Sequence, residues 1–187
     1  MRKLIGAIFL IAALTALFFG LHSFFYLKNS KWEPDLVTTR LLADLGDSAL
    51  VALDVPVAAV LLYDGNVIST GYNTVRKDML AGGHAEINAI TNAIRKLQLD
   101  PFMKLDHDKL TLITTWEPCY MCQGAFAEYN ISHVVILKRK SLPHWFKSWK
   151  KLQQYEWDKR AATTDTLQDF LFKKHPLYEQ EKAKSDF

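Results

Sequence analysis

A chain of 187 residues with 49% hydrophobic and 23% charged side chains holds enough apolar material for one packed domain and a modest appendage. Its 8 Gly and 6 Pro argue against a disordered or fibrous polymer, and 2 Cys are too few for a disulfide scaffold. Of the formal charge of +3, Arg2 and Lys3 stand before a long apolar run, so the rest of the chain is close to neutral and is not marked as a strongly cationic nucleic-acid binder.

That run, residues 4–27, reads LIGAIFLIAALTALFFGLHSFFYL, with His22 as its one readily ionised side chain. As a helix it would extend about 36 Å, enough for a hydrocarbon core about 30 Å thick. No polar face interrupts it. It is longer than the apolar part of a cleaved signal peptide, and no small-x-small site follows Leu27 closely. The expectation is one uncleaved transmembrane helix, membrane contact through residues 4–27 and a single-pass membrane location. Basic residues before it (Arg2, Lys3) and after it (Lys28, Lys31, Arg40) leave the orientation tied.

From 35 to about 53 the spacing of Leu36, Leu41, Leu42, Leu45 and Leu50 predicts an amphipathic helix, weakened at Gly46. After Pro56, residues 57–63 form a short apolar run of the buried-strand kind. Asp64-Gly65-Asn66 predicts a turn, and residues 67–71 a returning strand. A loop over 72–83 ends in Gly82-Gly83. His84 opens a helix to about residue 97, with Ile87, Ile90, Ala93, Ile94 and Leu97 in one stripe. Beyond a polar loop around Pro101, residues 110–115 read as a strand, 120–129 as a helix and 134–137 as a strand. This alternation predicts an α/β sheet covered by helices. Residues 1–31 read as anchor and flank, 32–140 as the core, and 141–187 as a basic, aromatic, helical extension.

Two short motifs carry the chemistry: His84-Ala85-Glu86 at one helix start, and Pro118-Cys119-Tyr120-Met121-Cys122 at another. Alone, a His beside a Glu is usually a capping or surface feature, and a CxxC can be a redox pair. Together, in this order, they match the H-x-E…P-C-x-x-C pattern of zinc deaminases. One imidazole and two thiolates, from His84, Cys119 and Cys122, supply three Zn²⁺ ligands and leave a tetrahedral position open, as catalytic zinc sites do. Cys119 and Cys122 fall on the same side of one turn, where the positive end of a helix favours thiolates. Glu86 is not needed as a ligand; beside the open position it can accept a proton and pass it on. Positions 84 and 86 do not share a face of an ideal helix, a tension that a fraying first turn after Gly82-Gly83 would relieve.

With these motifs the chain resembles the cytidine/deoxycytidylate deaminase superfamily, closest in pattern to bacterial tRNA adenosine deaminases and to guanine and cytosine deaminases. The likeness runs over about residues 36–140. It rests on VPVAAV from 55, Gly71-Tyr72-Asn73, HAEINAI from 84 and TTWEPCYMCQGAF from 114. The resemblance implies a three-layer α/β/α sandwich with a mixed central sheet. It implies Zn²⁺ on His84, Cys119 and Cys122, with Glu86 as proton shuttle. Asn73 and the backbone beside Ala85 would meet the substrate, and the protein would be a homodimer. The activity implied is hydrolytic deamination of an amino-substituted nucleobase, nucleoside or nucleotide, with adenosine in tRNA as the alternative. Gly82-Gly83 before the His, Trp116 in place of a small aliphatic, and a longer loop before Pro118 depart from the pattern and bear on the substrate.

Residues 138–160 hold eight Lys or Arg, interleaved with Trp145, Phe146, Trp149, Tyr155 and Trp157. Such a stretch can bind phosphates and stack bases, lie on an anionic membrane, or pack its aromatics on the core. His107, between Asp106 and Asp108, reads as part of a solvated loop. Two readings from other classes stand beside the enzyme. A non-catalytic, zinc-stabilised, membrane-tethered interaction domain would have no use for Glu86. A thiol redox module on Cys119 and Cys122 would leave His84 and Glu86 unexplained.

Overall fold

The structure is a computed structural model that describes residues 2–28, 33–153, 170–171 and 173–174; Tyr155, Trp157, Lys159 and Arg160 of the basic, aromatic stretch lie outside the described residues. The chain forms two compact units, 1–141 and 142–187. Helix α1 (Arg2–Lys28) follows the apolar run. Among the described residues, however, no helix is long and apolar enough to cross a membrane. The expected transmembrane helix is corrected on this ground, as are the membrane contact through residues 4–27 and the single-pass location built on it. The fold class is corrected in the same respect: it is a mixed sheet with helices, not preceded by a spanning helix among the described residues.

Asp35 starts α2 (Leu36–Val51). Its backbone is extended and its carboxylate accepts from the Thr38 N–H at 2.8 Å and the Thr38 hydroxyl at 2.9 Å, bonds that hold the carboxyl below its ordinary pKa. Strands β1 (Ala58–Tyr63) and β2 (Asn66–Tyr72) form a hairpin. Its two turn residues, Asp64 and Gly65, take φ of 50° and 78°, the mirror-image turn that Asp-Gly favours. Strands β3 (Leu110–Thr114) and β4 (His133–Ile136) complete a sheet of order β2-β1-β3-β4, antiparallel except between β3 and β4. Helix α5 (Tyr120–Glu128) lies on the connection between those parallel strands.

Side chains alternate along the strands, so each strand serves two cores. Val60 and Ile113 pack with Leu42 of α2. Leu61 and Leu112 pack with Ile90 and Ala93 of α3 (Ala85–Leu97) and with Cys122 and Phe126 of α5. Part of the expected polar loop around Pro101 is a short helix, α4 (Leu99–Met103), which puts Phe102 fully inside. Pro101 stands in its first turn, where no helical N–H is required. His107 is not in a solvated loop. Its Nδ1 lies 2.9 Å from the Tyr129 carbonyl and its ring stands edge-on to Phe102 at 5.9 Å.

Gly71 lets α3 lie directly on β2: a Cβ there would stand 2.2 Å from the Ala85 carbonyl oxygen and 2.4 Å from the Ala89 nitrogen. Along the same contact Asn88, Asn92 and Lys96 donate to the carbonyls of Tyr72 (2.8 Å), Thr70 (2.9 Å) and Ile68 (3.4 Å). Four helical residues rise about 6 Å and two strand residues about 6.6 Å, so the two repeats stay in step.

In the second unit, α6 (Leu142–Gln153) sets the rings of Trp145 and Trp149 parallel within 8°, with centroids 6.4 Å apart, and Phe146 5.7 Å from Trp149. All three rings are exposed.

Candidate functional site

Two helices begin at residues that do not cap them. His84 precedes α3 with extended backbone (φ −77°, ψ 148°), and Cys119 precedes α5 in the same way (φ −80°, ψ 171°); neither side chain makes a capping hydrogen bond to its helix. They turn toward each other instead. His84 Nδ1, Cys119 Sγ and Cys122 Sγ form a triangle whose three sides are each 3.6 Å. Because His84 lies outside the helical backbone, the mismatch of positions 84 and 86 on a helical wheel does not arise. Among the described residues, these are the one group of three His, Cys, Asp or Glu donors close enough to hold a metal ion.

The donor set fits zinc. A tetrahedral Zn²⁺ with Zn–S of about 2.3 Å and Zn–N of about 2.0–2.1 Å requires donor–donor edges of about 3.5–3.8 Å. The triangle has the dimensions of one face of that tetrahedron. The two thiols also share a hydrogen bond, the largest influence on each: it pulls Cys119 down to about 5 and pushes Cys122 up, and the burial of Cys122 adds to the push. Two sulfurs sharing one proton are a pair whose proton a divalent cation replaces.

Glu86 is 3% exposed. Its Oε1 lies 3.3 Å from Thr114 Oγ1 and its Oε2 3.5 Å from Cys122 Sγ. Burial raises its pKa above the ordinary carboxylate value, while hydrogen bonds from its own backbone, Cys122 and Thr114 pull the other way. A buried carboxyl with a raised pKa beside a metal-binding triangle suits proton relay.

Asn73 is buried just beyond β2, and its Oδ1 accepts the Ala85 N–H at 2.9 Å. It thus gives α3 the cap that His84 does not. The structure brings all six expected residues together: His84, Ala85, Glu86, Cys119 and Cys122, with Asn73 against Ala85. The Ala85 N–H is engaged by Asn73, whereas Asn73 Nδ2 donates to none of the described residues.

Sequence reasoning missed Thr114, Glu117 and Lys140. Thr114 closes the apolar strand two residues after Leu112, and the two-residue period alone would have put its hydroxyl on the α3 face. Glu117 Oε2 accepts the Lys140 backbone N–H at 2.9 Å, a contact that no local pattern announces. A separate cavity of about 240 Å³ at the β2 edge, lined by Tyr72, Lys77, Asn88, Asn92 and Arg95 among others, shares no residue with the triangle.

Comparison with known proteins bears on the same segments. The family model described as the cytidine and deoxycytidylate deaminase zinc-binding region matches residues 37–138. A tRNA-specific adenosine deaminase of Streptococcus pyogenes serotype M18 is 34% identical over 89 residues, 48% of this chain and 53% of that protein. The chloroplastic tRNA(adenine(34)) deaminase of Arabidopsis thaliana is 36% identical over 85 residues, 44% of this chain and 6% of that protein. A tRNA(Ile)-lysidine synthase of Deinococcus radiodurans is 39% identical over 92 residues, 49% of this chain and 15% of that protein. The chain therefore spans about half, or far less, of the length of these relatives. Among solved structures, guanine deaminase from Bacillus subtilis matches with a TM-score of 0.58 over 74% of this chain and 92% of that one at 22% identity, a likeness of fold.

Proposed function

The chain belongs to the cytidine and deoxycytidylate deaminase zinc-binding family, and on that footing we propose that it is a Zn²⁺-dependent hydrolase that deaminates an amino-substituted nucleobase, nucleoside or nucleotide. The observation that carries this reading is Glu86. It is a buried carboxyl with a raised pKa, 3.5 Å from a sulfur of the triangle and not itself part of the triangle. A purely structural zinc site has no use for such a group.

His84 Nδ1, Cys119 Sγ and Cys122 Sγ would hold the zinc, which supplies the Lewis acidity that makes water a nucleophile near neutral pH. Glu86 Oε2 takes the proton from the attacking water, while Thr114 steadies Oε1. The same carboxyl then gives that proton to the exocyclic nitrogen as the C–N bond breaks. The oxygen of water ends on the ring carbon and the nitrogen leaves as ammonia. Asn73 Nδ2 is the donor that holds the polar edge of the base, and Ala85 acts by fixing the Asn73 carbonyl. We assign this chemistry to residues 32–140, with residues 141–187 as an extension. The homodimer implied by the resemblance belongs to this reading and is tested by sedimentation.

A narrower reading, adenosine in tRNA, is favoured by one observation: two relatives at 34% and 36% identity are adenosine or adenine deaminases of tRNA. Both readings are tested by ammonia release from zinc-loaded full-length protein with a panel of bases, nucleosides, nucleotides and tRNA. At least one member should turn over. Glu86→Gln should keep stoichiometric zinc and lose about 10²–10⁴ in kcat. Bound zinc with no ammonia from any member, or near-normal turnover by Glu86→Gln, overturns the reading in favour of a non-catalytic zinc-stabilised domain.

A further inference from the structure

Three consecutive cations follow β4 and lie along the loop that carries Cys119. Main-chain bonds form the seam: Leu137 N–H to Thr114 O at 3.0 Å, Lys138 N–H to Thr115 O at 3.1 Å and Glu117 N–H to Lys138 O at 2.9 Å. Across it, each basic side chain takes the next loop residue in turn. Lys138 Nζ stands 5.8 Å from the centre of the Trp116 ring, Arg139 Nε lies 3.7 Å from Glu117 Oε2, and Lys140 Nζ donates to the Pro118 carbonyl at 3.0 Å. Gln123 Nε2, from the start of α5, reaches the same carbonyl at 3.2 Å.

The Pro118 carbonyl belongs to the peptide unit that ends at the Cys119 nitrogen. Gripping it from two sides therefore sets the backbone angle that aims Cys119 Sγ. Charge neutralisation does not explain Lys140, because two thiolates already balance a divalent ion. Orientation does: groups that hold metal ligands in place from outside the coordination sphere change metal affinity by about 10–100-fold.

We propose that Lys138, Arg139 and Lys140 form a clasp on the ligand loop, in which Lys140 is the positioning residue that aims Cys119 and slows loss of the metal. The proposal rests on the reading of Cys119 as a zinc ligand.

The test is zinc release from zinc-loaded full-length protein into excess colorimetric chelator. Lys140→Met should release zinc about 10–100-fold faster than the unaltered protein. Lys140→Arg, which keeps a donor, should recover most of the difference, and Gln123→Leu should move in the same direction by less. With Co²⁺ in place of zinc, Lys140→Met should shift the visible ligand-field bands, which a contact that merely adds stability would leave alone. Lys109→Met, which removes an exposed pair with Asp106, is the control and should change neither readout. Should Lys140→Met fail to fold, Gln123→Leu decides: zinc release at the unaltered rate, with unshifted cobalt bands, overturns the clasp. The same result in folded Lys140→Met also overturns it. Cys119→Ser separates the two levels. If it loses zinc while Lys140→Met behaves like the unaltered protein, the clasp alone fails; if it retains zinc fully, the ligand reading fails and takes the clasp with it.

Discussion

The two helix starts that meet at the candidate zinc site are secured by different means. Around His84 the hold is packing. Helix α3 lies on β2 at Gly71, buries Ala85, Ala89 and Ala93, and is fastened to three strand carbonyls by Asn88, Asn92 and Lys96. Around Cys119 the hold is polar. Helix α5 has nine residues, of which Cys122 and Phe126 are buried, and the loop before it is fixed by Glu117, Arg139 and Lys140. The first set of contacts is the fold itself. The second can be lost while the sheet and its cores remain. Damage near His84 should therefore appear as lost stability, and damage near Cys119 as faster metal exchange.

Gly71→Ala should give the largest stability loss. The atoms that a Cβ would meet are backbone, at 2.2 and 2.4 Å, and cannot rotate away. Overpacking costs about 1–3 kcal/mol, and more where only backbone can yield. The urea midpoint should fall, and zinc should leave as the protein unfolds rather than before. A Gly71→Ala protein of unaltered stability that merely exchanges zinc faster would reverse the comparison.

Asn73 comes next, and two substitutions sharpen it. Asn73→Ala removes the acceptor from the buried Ala85 N–H, at a cost of about 1–3 kcal/mol in stability. Asn73→Asp keeps an acceptor at a helix start, where negative charge is favourable, but loses the amide donor. Stability near that of the unaltered protein with a raised KM in Asn73→Asp would assign the cap to Oδ1 and the substrate contact to Nδ2. Equal KM in all three proteins would leave Asn73 as a cap only.

The two helix starts were also unequally legible in the sequence. Apolar runs, the Asp64-Gly65 turn and the chemistry of His84, Glu86, Cys119 and Cys122 are local signals, and they put strands, turn and motifs close to where the structure has them. The seat of α3 is not local. Nothing local marks Gly71 as the point where α3 meets β2, and the carbonyls that Asn88 and Asn92 bond have no side-chain signature. Glu117 and Lys140 meet because β3 and β4 run parallel, which brings the ends of both strands to one side. Hydropathy of residues 4–27 reports only a preference for apolar surroundings, and the spanning helix drawn from it did not stand.

The smallest effect should come from Asn92→Leu. Asn92 is exposed, and its Nδ2 donates to the Thr70 carbonyl at 2.9 Å. Strand β2 is an edge of the described sheet, and an unpaired edge carbonyl is a template for another chain. Leucine keeps much of the shape and raises the helix propensity by a few tenths of a kcal/mol at most, which only partly offsets the loss of the donor. Water can reach the freed carbonyl, so the loss should be about 0.5–1.5 kcal/mol. The urea midpoint should fall modestly with an unchanged slope, because the surface exposed on unfolding is the same. Zinc release from the folded protein should keep its rate, since the Asn92 bond lies on the packed side of the site and touches neither sulfur. Set beside Lys140→Met, this gives a crossed pattern: stability falls in one variant and metal retention in the other. Faster zinc release in Asn92→Leu at unaltered stability would mean that the bonds between α3 and the β2 edge also aim the ligands, and the two helix starts would no longer differ in kind.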